Sequence, residues 1–279
     1  MSRTQKTGTS NSPVKKYLSF KGSKGQLAYY DKDSKETDKN VYLDSLDIVL
    51  LDIKSSITGF NESSSSQISS NLLEPYSVGK EPFIVKTKIN GSYATFAEGI
   101  WKEIKAEVDG IGGKFTSNIF AIADVGQGME IVRIELSGAG LTPWINFQSE
   151  LSNSDEAYDK VITISRGKLC TRRKGKTEAL TEDEYKKILA DIKKNPMATR
   201  PVLFYETAFS GADLTEDMAD LAVKNDAVLQ KYFGDSGVAT GEKDEPEAEK
   251  SQAKQDPAQF RAPVAAPNTS EEDDDDLPF

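Results

Sequence analysis

Residues 41–60 read VYLDSLDIVLLDIKSSITGF. Val49, Leu51, Ile53 and Ile57 recur at even spacing, so the stretch predicts a β-strand with those four side chains on one face. Working outward, KKYLSFKGSKGQLAYYDK (15–32) predicts a hairpin in which YLSF and QLAYY are strands and KGSKG is the turn. On the other side lies NESSSSQISSN (61–71), with 6 Ser in the 8 residues from 63 to 70, a composition that predicts a flexible loop or insertion. PFIVKTKI (82–89), Asn90-Gly91 and SYATF then form a second predicted hairpin with a tight turn.

The period changes once in this region. In EGIWKEIKAEVDGIGGK (98–114), Ile100, Trp101, Ile104, Val108 and Ile111 fall on one helical stripe, and Gly112-Gly113 suits the stop. Strand patterns resume in KFTSNIFAIAD and MEIVRIELSG, where Val132, Ile134 and Leu136 alternate with Arg133 and Glu135. Phe115 and Phe120 point to opposite faces of their strand, which predicts that one of them is buried. LTPWINF (141–147) and KVITISRGKL (160–169) are two more predicted strands. A helix follows in TEDEYKKILADIKKN, opened by a capping box from Thr181 to Glu184. RPVLFYE is a short strand, and LTEDMADLAVKNDAVLQKYFG (214–234) is a last helix with a break expected near Asn225-Asp226. Many short strands, one inserted helix and two late helices indicate a mainly β (α+β) small barrel or sandwich.

Composition narrows the chemistry. The chain has no histidine and one cysteine, Cys170, so His-based catalytic arrangements, an internal disulfide and a Cys-based zinc site are excluded. No catalytic, metal or cofactor residue is therefore assigned. Asp44, Asp47 and Asp52 are scattered carboxylates that a Mg²⁺-dependent nuclease could use, although strand alternation reads them as a solvent-facing row. The N-terminus MSRTQKTGTSNSPVKK carries no apolar secretory core, and no long apolar run spans a membrane. Cysteine usage fits a reducing cytoplasm.

Charge is distributed unevenly. The net charge is −10; of 45 acids, 13 lie from Asp235 onward with only 4 of the 35 bases, which leaves 32 acids against 31 bases before that point. Residues 1–35 carry 8 Lys/Arg and 2 Asp. A basic start, a balanced body and an acidic end point to a polyanion-binding body. The densest basic run is SRGKLCTRRKGK (165–176), read as a strand end and loop that offers Arg166, Lys168, Arg172, Arg173, Lys174 and Lys176 to phosphates. Lys15, Lys16, Lys21 and Lys24 interleave with Tyr17, Phe20, Tyr29 and Tyr30, as a base-stacking platform requires. One aromatic face of that hairpin packs inward, through Tyr17 or Tyr29, with Tyr30 facing out. Pro143 marks an edge or loop, so Trp144 is expected to be exposed and available to stack. Trp101, on its helical stripe, is expected in the core.

The chain divides into a basic disordered segment (1–13), a folded body (14–234), a Pro/Ala/Glu-rich linker (235–270) and EEDDDDLPF (271–279). A run of Asp closed by an aliphatic residue, Pro and Phe resembles the C-terminal tip of bacterial single-stranded DNA-binding proteins, and the body's layout is similar to larger phage proteins of that type. The resemblance implies an OB-like barrel that covers single-stranded DNA in replication, recombination and repair. It also implies a bacterial host cytoplasm, and partner proteins captured by Asp273, Asp274, Asp275, Asp276, Leu277, Pro278 and Phe279. A replication-protein adaptor that does not touch DNA is the alternative reading of the same tip.

Overall fold

The computed structural model describes residues 12–34, 37–151, 154–173, 176–194 and 201–236. The chain over 41–60 bends at Asp44 and contributes to two strands, β3 (Asn40–Leu43) and β4 (Ser45–Asn61). β3 is the outer strand of a meander with β1 (Lys16–Lys21) and β2 (Gln26–Tyr30). β4 is the spine of the sheet. Along most of its length it pairs with β8 (Gly113–Asp124). On its other side it pairs first with β10 (Lys160–Arg173), then through Ser55 with Leu73, then with β5 (Ser66–Ser69).

The ladder of β4 and β8 shifts between Leu50 and Asp52, leaving Leu51 as an extra residue. One inserted residue inverts every side chain beyond it. Val49 and Leu51 therefore pack on one face of the sheet, while Ile53 and Ile57 belong to clusters on the other. The four do not share a face as the spacing predicts.

The remaining strands complete a curled half-barrel. β6 (Phe83–Ile89) and β7 (Ser92–Gly99) form the expected hairpin at one edge. β9 (Met129–Leu136) joins β8 to β1, and its pairing with β1 is parallel. β11 (Lys176–Ala179) and β12 (Leu203–Asp213) flank β10. The hydrogen-bonded path runs β3-β2-β1-β9-β8-β4-β5-β6-β7.

The inner face holds two clusters. One gathers Leu18, Ile48, Ile119, Ile134, Ile162 and Ile164 beneath α2 (Leu141–Glu150); the other packs Ile57, Phe83, Val85 and Phe115 against α1 (Trp101–Gly110). α4 (Glu216–Ser236) lies on the outer face over Val49, Leu51, Phe120 and Ile122. It runs without a break through Asn225, whose amide donates to the Leu221 carbonyl. Helices on both faces explain why Phe115 and Phe120 are both buried, one against Trp101 and Phe83, the other against Phe233.

Two expectations fail for local reasons. LTPWINF is helical, not extended. Pro143 sits in the first turn of α2, where no N–H is needed for helix bonding. The Ser-rich segment is ordered: the Asn61 side chain accepts from the amides of Ser63 and Ser64, making a tight turn, and Ser66 starts β5. By contrast α3 (Glu182–Lys194) begins at the expected box, with Thr181 and Glu184 bonded reciprocally. Among the described residues no helix is long and apolar enough to cross a membrane.

The turn between β1 and β2 docks on β12. The Tyr205 amide donates to the Gly22 carbonyl at 2.7 Å. Gly25 has φ of +66°, and a Cβ there would meet Arg166 Nε at 2.8 Å and Tyr205 Cβ at 2.9 Å. Gly25→Ala should cost about 1–3 kcal/mol of stability in a denaturant titration. A loss under about 0.5 kcal/mol would show that the docking of this turn on β12 does not contribute to stability.

Candidate nucleic-acid interface

Alternation along β1 and β2 sorts the hairpin residues. Leu18, Leu27 and Tyr29 enter the core, and the Tyr29 hydroxyl donates to the Val125 carbonyl. Tyr17 and Tyr30 turn outward and are 50% and 62% exposed. Carried one residue beyond the pairing of Leu18 with Tyr29, the register sets Tyr17 and Tyr30 across from each other on this face. Tyr42 of β3 pairs with Ala28 and shares this face. Lys24 Nζ sits 3.4 Å from the centre of the Tyr42 ring. The Tyr42 hydroxyl donates to Asp38, whose carboxyl is held below its ordinary pKa by Asn40 first and Tyr42 second.

The parallel pairing of β1 with β9 places Arg133 beside Tyr17. Its guanidinium lies 5.9 Å from the Tyr17 ring centre and 5.8 Å from that of Phe120. Nε and Nη2 both donate to the Asn118 Oδ1, at 3.1 and 2.8 Å, and Nη2 also reaches Glu135 at 3.1 Å. The guanidinium is thereby held in place, with the Arg133 side chain 18% exposed and its charge shared with Glu135. Arg133, Tyr42 and the exposure of Tyr17 were missed from sequence. The alternation of Arg133 with Val132 and Ile134 showed its face, but nothing local showed its neighbour.

α4 closes the far side of this surface. Phe233 packs edge-on against Phe120, and Gln230 donates to Asp52. Lys54 bridges Asp52 and Glu74 beneath Phe233. Burial alone would lower the pKa of Lys54; hydrogen bonds to Glu74 and Asp52 outweigh it and raise the value above normal.

The described part of the basic run is strand: β10 continues to Arg173, with an irregularity between Arg166 and Leu169, and Lys176 begins β11. Arg166 is brought to the β1–β2 turn, its guanidinium 4.9 Å from the Tyr205 ring centre and its Nε 3.4 Å from the Gly25 carbonyl. Lys21, Lys24 and Arg166 thus surround one turn, with Asp44 3.9 Å from Arg166. Lys168 is exposed nearby on β10, and Arg172 is exposed further along the strand. Arg173 and Lys176 are backbone partners at the tip of the β10–β11 hairpin, roughly 20 Å from Arg166 along an extended strand. Lys15 is exposed just before β1, and its amide anchors the parallel pairing at the Ile131 carbonyl. Lys16 lies 4.8 Å from the Tyr29 ring centre.

Trp144 does not belong to the surface. It is 1% exposed and packs between Phe147 and Phe209 under α2. Trp101 is buried, as its stripe predicts. Lys174 and the whole of 235–279 except the end of α4, including Asp273–Phe279, lie outside the described residues.

The three carboxylates considered for metal do not converge. Asp44 accepts from Gln26, Asp47 from Thr163, and Asp52 is tied to Lys54 and Gln230. Among the described residues no three acids, Cys or His cluster as a metal site would require. Comparisons with protein-family models, with curated proteins and with solved structures found no match to this chain.

Proposed function

We propose that this protein binds single-stranded DNA without sequence preference, on the outer sheet face around Tyr17, Tyr30, Tyr42 and Arg133. The observation that carries the reading is the pair of exposed tyrosines set on one rigid sheet beside a locked guanidinium and flanked by Lys21 and Lys24. Exposed rings accept any base, because every base has a π-face, and cations at their margin meet the phosphates. Exposed rings grouped on one sheet face, rather than scattered singly, mark an interaction surface.

In this reading the curled sheet acts as an OB-like barrel, with α1 inserted between β7 and β8, and the protein coats strands without catalysis. Residues 271–279 serve as a separate handle, whose acidic run followed by Leu277, Pro278 and Phe279 fits a basic-rimmed apolar pocket on a replication or repair protein.

A salt series with labelled oligo(dT) tests the proposal. Affinity should fall steeply and log-linearly with salt. Lys21→Ala and Lys24→Ala should each weaken binding and reduce the slope by about one. If the unaltered protein shows no binding in dilute buffer, the proposal is wrong.

A further inference from the structure

We infer that the same outer face carries a second contact for the polynucleotide, built by Phe60, Lys88, Tyr93 and Lys114 at the other end of the sheet. This rests on the reading above and specifies where the bound strand runs.

Ladder registers fix which side chains share a face. Tyr17 pairs with Arg133, Arg133 with Phe120, and Phe120 with Asp52. Beyond the bulge, Lys54, Ser56, Thr58 and Phe60 stay on that face. Thr58 pairs with Lys114 and with Ser69, Ser69 with Lys86, and Lys88 with Tyr93. The two ends therefore lie on the same side of the sheet, with the end of α4 packed between them over Phe120 and Lys54.

The far end repeats the chemistry of the near end. Phe60 is 53% and Tyr93 46% exposed, and Lys88 Nζ lies 5.6 Å from the Tyr93 ring centre. Lys114 is exposed beside Thr58. Asp109 interacts with it; burial raises that carboxyl's pKa, while Lys105 and Lys114 act the other way. β7 ends the hydrogen-bonded path, yet it carries no charge from Ser92 to Ala97. A solvated edge strand is normally guarded by charge or proline, so a bare aromatic one fits a surface that is covered in use.

The floor between the ends offers no electrostatic barrier. Ser56, Thr116 and Asn118 are buried there and only Thr58 is half-exposed, so a strand would pass over covered side chains, and the acids nearby are paired: Asp52 and Glu74 with Lys54, Glu135 with Arg133. From β1 to β6 there are five strand steps, about 24 Å across the sheet, and the six residues from Phe120 to Lys114 add about 20 Å along the strands, for a diagonal of about 31 Å. At a base spacing of about 3.4 Å that is about nine nucleotides. A short oligomer reaches one end only; a long one reaches both.

The test is a pair of titrations, with oligo(dT) of about 4 and about 16 nucleotides, on the unaltered protein and on Lys88→Ala/Tyr93→Ala. The variant should bind the long oligomer about tenfold more weakly and the short one within about twofold of normal. Lys88→Glu, which leaves the aromatic hairpin intact, should show the same split, and serves if the double variant fails to fold. Equal weakening at both lengths, or none at either, overturns the second contact while leaving the first. Failure of the unaltered protein to bind either length overturns the functional reading itself.

Discussion

Replacing Tyr17, Tyr30 and Tyr42 together by alanine should weaken binding of a long oligo(dT) by about a hundredfold or more. Stacking on one aromatic ring is worth about 1–3 kcal/mol per base, and every 1.4 kcal/mol is about tenfold. Even the low end, taken over three rings, reaches two decades. The fold should survive, because Tyr17 and Tyr30 stand in water and Tyr42 lies on the edge strand β3. The matching phenylalanine variants keep the rings and should keep most of the affinity. A triple variant that unfolds normally and binds within about threefold of the parent would place the strand somewhere else.

Trp144→Ala should be the most damaging single change to stability, at about 3–5 kcal/mol. The indole is 1% exposed and meets Phe147 at 5.8 Å and Phe209 at 5.2 Å between ring centres. Loss of that ring opens a cavity where α2 meets β12, a site that cannot collapse while the sheet stays curled. Against a total stability of about 5–15 kcal/mol, the midpoint of thermal or chemical unfolding should fall sharply. Trp144→Phe should cost less than a typical loss of a buried hydrogen-bonding ring, because the indole N–H has no protein partner here. Where the alanine variant remains folded at low temperature, its affinity for oligo(dT) should be unchanged. A selective loss of affinity with normal stability would mean that Trp144 reaches the DNA after all.

These two predictions divide along the line between what local sequence shows and what pairing decides. The β1–β2 and β6–β7 hairpins, α1 and the capped start of α3 were legible because each is specified within about 15 residues by periodicity and turn chemistry. The outward position of Tyr30 was legible for the same reason. Trp144 was misplaced because Pro143 was weighed as a strand breaker. The competing signal was the spacing of Trp144, Phe147 and Leu151, three and four apart, which is a helical stripe.

The bulge at Leu51 has no local signature, since it exists only in the register of β4 against β8. Arg133 reaches Tyr17 through a parallel pairing of strands more than a hundred residues apart. Arg166 reaches the β1–β2 turn in the same non-local way, guided by a glycine that leaves room for it. Half of the proposed surface is thus written in one hairpin, and half is assembled by the sheet.

Ultraviolet cross-linking of oligo(dT) to the full-length protein, with the modified peptides mapped by mass spectrometry, tests the location of the strand most directly. Adducts should fall on the peptides that carry Tyr17, Tyr30 and Tyr42, and with longer oligomers on those that carry Phe60 and Tyr93 as well. Adducts confined to the α2–β12 side around Phe147 and Phe209, with none on the tyrosine face, would contradict the assignment of that face as the DNA-binding surface.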